Sequence, residues 1–195
     1  MYIAHRINTV AELQMIPLEY GAEIDIRDLG DRLVLQHDPY VDGEDLEYFL
    51  QHYRHGTLIL NVKSERIEHK VIELIQKYNI QDYFFLDSTF PMIFLLSNQD
   101  EKKIALRFSE YEGIDTIKSM IGKVDWVWVD CFTQLPINQE NYALLREWGF
   151  KLCLVSPELQ GRDQDIEEYK QYLEGQGIVF DKICTKSYNI KRWQK

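Results

Sequence analysis

The sequence predicts an α/β fold, a compact (β/α)8 TIM barrel in one domain over residues 1–195. Three observations predict it. Short strand-like runs alternate with helix-period segments from end to end, eight such runs can be counted, and several place apolar residues on one side and late polar residues on the other. Repeated βα units imply a parallel sheet, and eight of them imply a barrel with its chemistry at the C-terminal mouth. An open doubly wound sheet is the alternative, but no glycine-rich phosphate loop follows the first strand.

The strands are read at Tyr2–Arg6, Ala22–Arg27, Thr57–Lys63, Tyr83–Ser88, Lys103–Ser109, Asp125–Phe132, Lys151–Pro157 and Phe180–Lys186. Helical spacing covers Val10–Tyr20, Glu44–His52, Glu65–Tyr78, Ile114–Ile121, Asn138–Trp148 and Asp163–Leu173. A tail after the last strand has room for a further short helix. Gly21, Gly122, Gly149 and Gly177 follow helical segments, where a C-cap or turn is expected. One stretch breaks the alternation. Asp28–Asp38 reads as a turn followed by another short strand, a hairpin beside the barrel mouth.

Bulk properties narrow the partners. Hydrophobic residues at 45% and charged residues at 28% are an ordinary globular balance, and the chain can bury a core without disulfides. The net charge of -10 opposes general binding to nucleic acid or to anionic membranes. Cys131, Cys153 and Cys184 lie in apolar runs without CxxC spacing, so buried thiols are expected. No apolar run approaches the roughly 20 residues that cross a bilayer, and the N-terminus has no signal-peptide pattern. A soluble, cytoplasmic protein with no stable membrane insertion is the expectation.

Side chains alternate along a strand. Glu23, Asp25 and Arg27 therefore share one side of their strand, opposite Ile24 and Ile26. Asn61 and Lys63 share a side with Ile59, and Asp130 shares one with Trp126 and Trp128. Two carboxylates buried on one face repel each other and cost several kcal/mol unless a cation holds them. A hard divalent metal is the simplest such cation. An internal salt-bridge network with Arg27, Lys63 or Arg107 is the plainer reading.

The order IAHR, YGAEIDIR, a turn, LVLQHD and LNVK, over residues 3–63, resembles the glycerophosphodiester phosphodiesterase family. That family belongs to the superfamily of phosphatidylinositol-specific phospholipase C. The resemblance implies a barrel that takes a divalent cation, Mg²⁺ or Ca²⁺, through Glu23 and Asp25, with Asn61 as the third ligand. It implies His5 and His37 as the acid/base pair, and a small-molecule phosphodiester with glycerol- or lipid-derived groups as substrate. Arg6 and Lys63 are candidates to hold the phosphate oxygens. Three departures stand out. Ile7 occupies the place of a usual glycine, Asn61 that of a usual glutamate, and the insertion that normally follows His-Asp is nearly missing. Asn61 still offers a carbonyl oxygen but one charge fewer, so metal affinity should fall.

For other residues plain roles are expected: His52, His55 and His69 on solvated helices or turns, Asp38 orienting His37, and Trp128 in the wall. Asp87, Arg107 and Asp130 either line the pocket or pair structurally. Two competing functions remain. A barrel that has lost its chemistry would serve as a small-molecule or protein-binding module. A lyase or isomerase on a phosphorylated metabolite would use Ser156, Arg162, Lys186 and Ser187 near the last two strands.

Overall fold

The computed structural model describes residues 1–194, and all eight expected runs form strands there, each trimmed or extended at its ends. They are β1 (Tyr2–Ala4), β2 (Gly21–Leu29), β5 (Leu58–Val62), β6 (Tyr83–Leu86), β7 (Ala105–Phe108), β8 (Trp126–Val129), β9 (Lys151–Val155) and β10 (Lys182–Thr185). The expected hairpin is β3 (Arg32–Leu35), antiparallel to the far half of β2 and turned through Gly30 at φ 63°. A two-residue strand β4 (Glu44–Asp45) adds to its edge.

The pairing runs β2, β1, β10, β9, β8, β7 on one side and β2, β5, β6 on the other, every pair parallel. The sheet is therefore strongly curled. Between β6 and β7 the ladder thins to one bridge, Phe85 to Ile104, with Phe85 N donating to Lys103 O at 2.8 Å. That seam departs from the evenly laddered closed barrel expected from the strand count.

Helices fill the connections as α1 (Val10–Leu13), α2 (Leu46–His52), α3 (Glu68–Lys77), α4 (Phe90–Ser97), α5 (Ile114–Ser119), α6 (Gln139–Glu147), α7 (Ile166–Gly175) and the terminal α8 (Ile190–Trp193). The α1 segment is far shorter than its apolar period suggests, since Pro17 stops it. Glu44 and Asp45 fall outside α2, where the Asp45 side chain caps the helix by accepting from Tyr48 N. Gly122, Gly149 and Gly177 take positive φ as expected. Gly21 does not: it opens β2, and a Cβ there would stand 2.2 Å from Thr57 O and 2.4 Å from Ile3 Cδ1. Close strand packing, not a helix cap, fixes that glycine.

Two apolar layers follow from strand parity. Ile24, Ile26, Leu60, Phe85, Val127 and Leu154 face outward and are covered by helix residues such as Phe49, Val71 and Leu145. Ile3, Ile59, Phe84, Trp126, Cys153 and Cys184 face inward as a dry floor, with Phe84 stacked on Trp126 at 4.5 Å between centroids. All three cysteines are free and buried. The polar residues of the same inward faces sit one step further along the strands, so the floor closes the bottom of a polar mouth. Among the described residues no helix is long and apolar enough to cross a membrane.

Candidate active site

A cavity of about 240 Å³ opens at the C-terminal ends of the strands, and His5, Arg6, Asp25, His37, Asn61 and Lys63 all line it. A larger hollow of about 950 Å³ lies at the opposite end, beside Tyr2, Phe180 and Trp193. It holds no histidine and no strand-end carboxylate, so the chemistry belongs to the smaller cavity.

β1 hands its chain to His5 and Arg6, and Arg6 adopts a left-handed φ of 56°. For a residue with a side chain this costs roughly 1–3 kcal/mol and persists only where the surroundings enforce it. Here Arg6 N donates to Glu23 Oε2 at 2.7 Å, and Ile7 N donates to Glu23 O at 2.8 Å. The turn sends Arg6 Nε to 3.3 Å from Asp25 Oδ2. Asp87, just past β6, has the same backbone at φ 59° and meets Lys63 Nζ at 3.4 Å.

Glu23 and Asp25 lie on adjacent inward positions of β2, and both are almost wholly buried. Asn61 is opposite Asp25 on β5 and donates its amide nitrogen to Glu23 Oε1 at 2.7 Å and to Asp25 Oδ1 at 3.4 Å. Lys63 Nζ stands 3.6 Å from Asp25 Oδ1. Asn8 clamps Asp25 from the other side, donating to Oδ2 at 3.0 Å and accepting from the Asp25 backbone at 2.8 Å. Burial, and then the Asp25 charge, push Glu23 up to about 7.

The two histidines are held differently. His5 Nε2 is 3.7 Å from Glu23 Oε2, while its Nδ1 is 3.0 Å from Lys186 Nζ. Burial and then the surrounding cations, Lys186 foremost, push His5 down to about 3. His37 follows β3, more open to solvent, with Nδ1 2.8 Å from Asp38 Oδ1. Arg27, on the Glu23–Asp25 side of β2, donates to His37 O at 2.9 Å and so fixes the loop instead of joining the carboxylates.

The opposite wall is an ion-pair network. Arg107 on β7 pairs with Asp87 and with Asp130, which is 3% exposed, and Gln160 donates to Asp130 at 2.9 Å. Trp128 is buried beneath them. The remaining histidines are structural: His52 bonds Tyr48 O, His55 bonds Ile16 O, and His69 bonds Gln99.

Could these residues hold a metal? Asn61 Oδ1 is buried with no hydrogen-bond partner among the described residues. With the carboxylates of Glu23 and Asp25 it makes a set of hard oxygen donors that suits Mg²⁺ or Ca²⁺. No group of three or more His, Cys, Asp or Glu side chains is so placed among the described residues, because the third donor is an amide. That amide turns its nitrogen to the carboxylates and leaves its oxygen bare.

The sequence reading placed His5, Arg6, Glu23, Asp25, His37, Asn61 and Lys63 together, and the structure does so. The clamp that Asn8 makes on Asp25 was not read; the signal available was that Asn8–Thr9, just past the His-Arg pair, is similar to the end of the family's Glu-Asn-Thr segment. The same reading weighed Lys186 only for a different reaction; the signal available was that a lysine closes the strand next to the one bearing His5.

No protein-family model matches the sequence, and no curated protein sequence matches it. The solved structures that the fold matches include two bacterial proteins. One, from Agrobacterium tumefaciens str. C58, is assigned as a glycerophosphoryl diester phosphodiesterase; it has TM-score 0.70 at 12% identity, over 98% of this chain and 95% of that one. The other is a glycerophosphoryl diester phosphodiesterase from Parabacteroides distasonis ATCC 8503, with TM-score 0.65 at 14% identity over 99% and 85%. The chain thus has the α/β fold of these proteins along nearly its whole length, as the opening motifs led us to expect.

Proposed function

We propose that this protein is a phosphoric diester hydrolase, built on a compact (β/α)8 barrel, that cleaves a glycerol- or lipid-derived phosphodiester with help from a divalent cation. The observation that carries the reading is the meeting of His5 and His37 in one cavity with Asp25, Asn61, Arg6 and Lys63. The two fold neighbours support it.

In this reading Glu23, Asp25 and Asn61 would hold Mg²⁺ or Ca²⁺, which supplies positive charge to the phosphoryl oxygens when bound. Arg6 and Lys63 pair with Asp25 in the free protein and turn to the phosphate when it arrives. His5 and His37 move the protons, each contributing typically about 100- to 10,000-fold. Asp38 holds the His37 imidazole in one orientation. The nucleophile is water or a neighbouring hydroxyl of the substrate.

The test is turnover of a panel of glycerophosphodiesters with added Mg²⁺ or Ca²⁺, comparing wild type with His5→Ala and His37→Ala. Turnover that persists unchanged in both variants would sink the assignment. One observation favours a second reading, a binding module without turnover: the Asn61 amide already bridges Glu23 and Asp25 without a metal. Absence of turnover by the wild type, with the same diesters binding, would select it.

A further inference from the structure

The histidines at the mouth are wired in opposite senses. An ammonium group has donors only, and a carboxylate has acceptors only. Lys186 Nζ at 3.0 Å therefore makes His5 Nδ1 an acceptor, which leaves the ring proton on Nε2. Asp38 at 2.8 Å makes His37 Nδ1 a donor, which leaves Nε2 bare. One ring presents an N–H to the cavity and the other a lone pair.

Lys186 is set in place for this. It directly follows β10, whose Thr185 is in register with Ala4 of β1, so it stands beside His5. Its backbone N donates to Glu158 Oε1 at 2.9 Å, and the same oxygen accepts from Thr185 Oγ1, which clamps the strand end. The side chain is half-buried behind His5, does not line the cavity, and makes no ion pair among the described residues. A buried imidazole without its own positive charge is a poor acid. An ammonium on its far nitrogen changes that, because the proton lost at Nε2 can be replaced at Nδ1.

We infer that Lys186 is a positioning residue that makes His5 the acid of the reaction and leaves the base to His37. The inference rests on the phosphodiesterase reading. His37 Nε2 takes the proton of the attacking hydroxyl as the new P–O bond forms, and Asp38 holds the resulting imidazolium. The P–O bond to the leaving group breaks with its electron pair on oxygen. That alkoxide takes the proton of His5 Nε2 while Nδ1 takes one from Lys186. His5 Nδ1 then returns its proton to Lys186 as Nε2 takes one from solvent, which restores the starting tautomer, and His37 gives its own up to solvent.

The leaving group tests this. An alkoxide needs a proton and a 4-nitrophenolate does not. Wild type and Lys186→Met are assayed with sn-glycero-3-phosphocholine and with bis(4-nitrophenyl) phosphate. The expected result is a loss of about 100-fold or more in kcat on the alkyl diester and a far smaller loss on the aryl one. Equal losses on both, or none on either, overturn the inference and leave the phosphodiesterase reading standing. If the wild type turns over neither diester, that reading fails and the inference with it. Should the variant not fold, imidazole ¹⁵N spectra of the wild type decide. His5, identified by its loss in His5→Gln, should carry its proton on Nε2; a proton on Nδ1 overturns the inference.

Discussion

Asn61→Asp changes one atom at the centre of the site and tests how its charge is balanced. The amide nitrogen of Asn61 donates to Glu23 Oε1 at 2.7 Å and to Asp25 Oδ1 at 3.4 Å, and Asn61 Oδ1 has no hydrogen-bond partner among the described residues. The substitution removes the donor and points a third carboxyl at two buried ones. A hydrogen bond to a charged group is worth about 1.5–3 kcal/mol. Leaving a buried charge without its partner costs about 3–5 kcal/mol, and this is the figure to expect once repulsion is included. At about 2–4 °C per kcal/mol for a chain of this size, Tm should fall by roughly 6–20 °C in EDTA. The new carboxyl escapes part of the cost by taking up a proton, so the deficit should widen from pH 6 to pH 8. Millimolar Mg²⁺ or Ca²⁺ should then stabilise the variant, by about 2.7 kcal/mol when the ion is at 100 times its Kd for the variant, and raise the wild type less. Equal melting of the two proteins in EDTA would refute the bridging role of the amide. An equal metal response would refute the placement of the cation among Glu23, Asp25 and residue 61.

Three further outcomes are expected. Arg107→Met should destabilise the fold by about 3–5 kcal/mol in urea titration, because it strands Asp130, and adding Asp130→Asn should recover part of that loss. In EDTA, wild-type stability should fall relative to Glu23→Gln as pH rises from 5 to 8. Glu23 is raised from 4.5 to about 7 by burial, so the folded state keeps a proton that the unfolded chain has lost. The stabilisation is full below the unfolded value and gone above the folded one, of the order of 3 kcal/mol, and a constant difference across that range would contradict it. At pH 8 the native protein should react negligibly with a thiol reagent, since burial pushes Cys131 up to about 12 and raises Cys153 and Cys184 as well; three thiols should react after unfolding.

What the sequence discloses depends on whether the physical signal is local. Strand parity is local, so Glu23, Asp25, Asn61 and Lys63 could be put on one inward face from alternation alone, and the hairpin at Gly30 could be read from its turn residues. Helix α4 was not read because Phe90–Ser97 is apolar nearly throughout and shows no amphipathic period. The role of Gly21 depends on Thr57 and Ile3, which the chain brings to it from elsewhere, so a helix cap was the only local explanation on offer. The thin seam between β6 and β7 is likewise a property of pairing, not of either strand's composition. Lys186 is the extreme case, since its partner His5 is 181 positions away.

The same distinction explains how this mouth differs from the pattern its opening motifs suggest. A metal site with three carboxylates depends on a cation that the chain does not carry. Here Asp25, Asp87 and Asp130 meet Arg6, Lys63 and Arg107 within the protein, Glu23 accepts from Asn61 and from the Arg6 backbone, and Lys186 adds a positive charge behind His5. The exchange of a carboxylate for an amide at Asn61 is what brings these groups near balance before any ion arrives. A cation entering such a site gains less than it would among three carboxylates, and an anionic phosphate gains more, because the basic groups are already at the rim. The left-handed backbones of Arg6 and Asp87 fit this account, since each carries a charged side chain to the rim at a conformational cost that the surrounding hydrogen bonds and ion pairs offset. In the proposed reaction the chain's own side chains, together with any cation bound, would set the electrostatics that a phosphodiester meets.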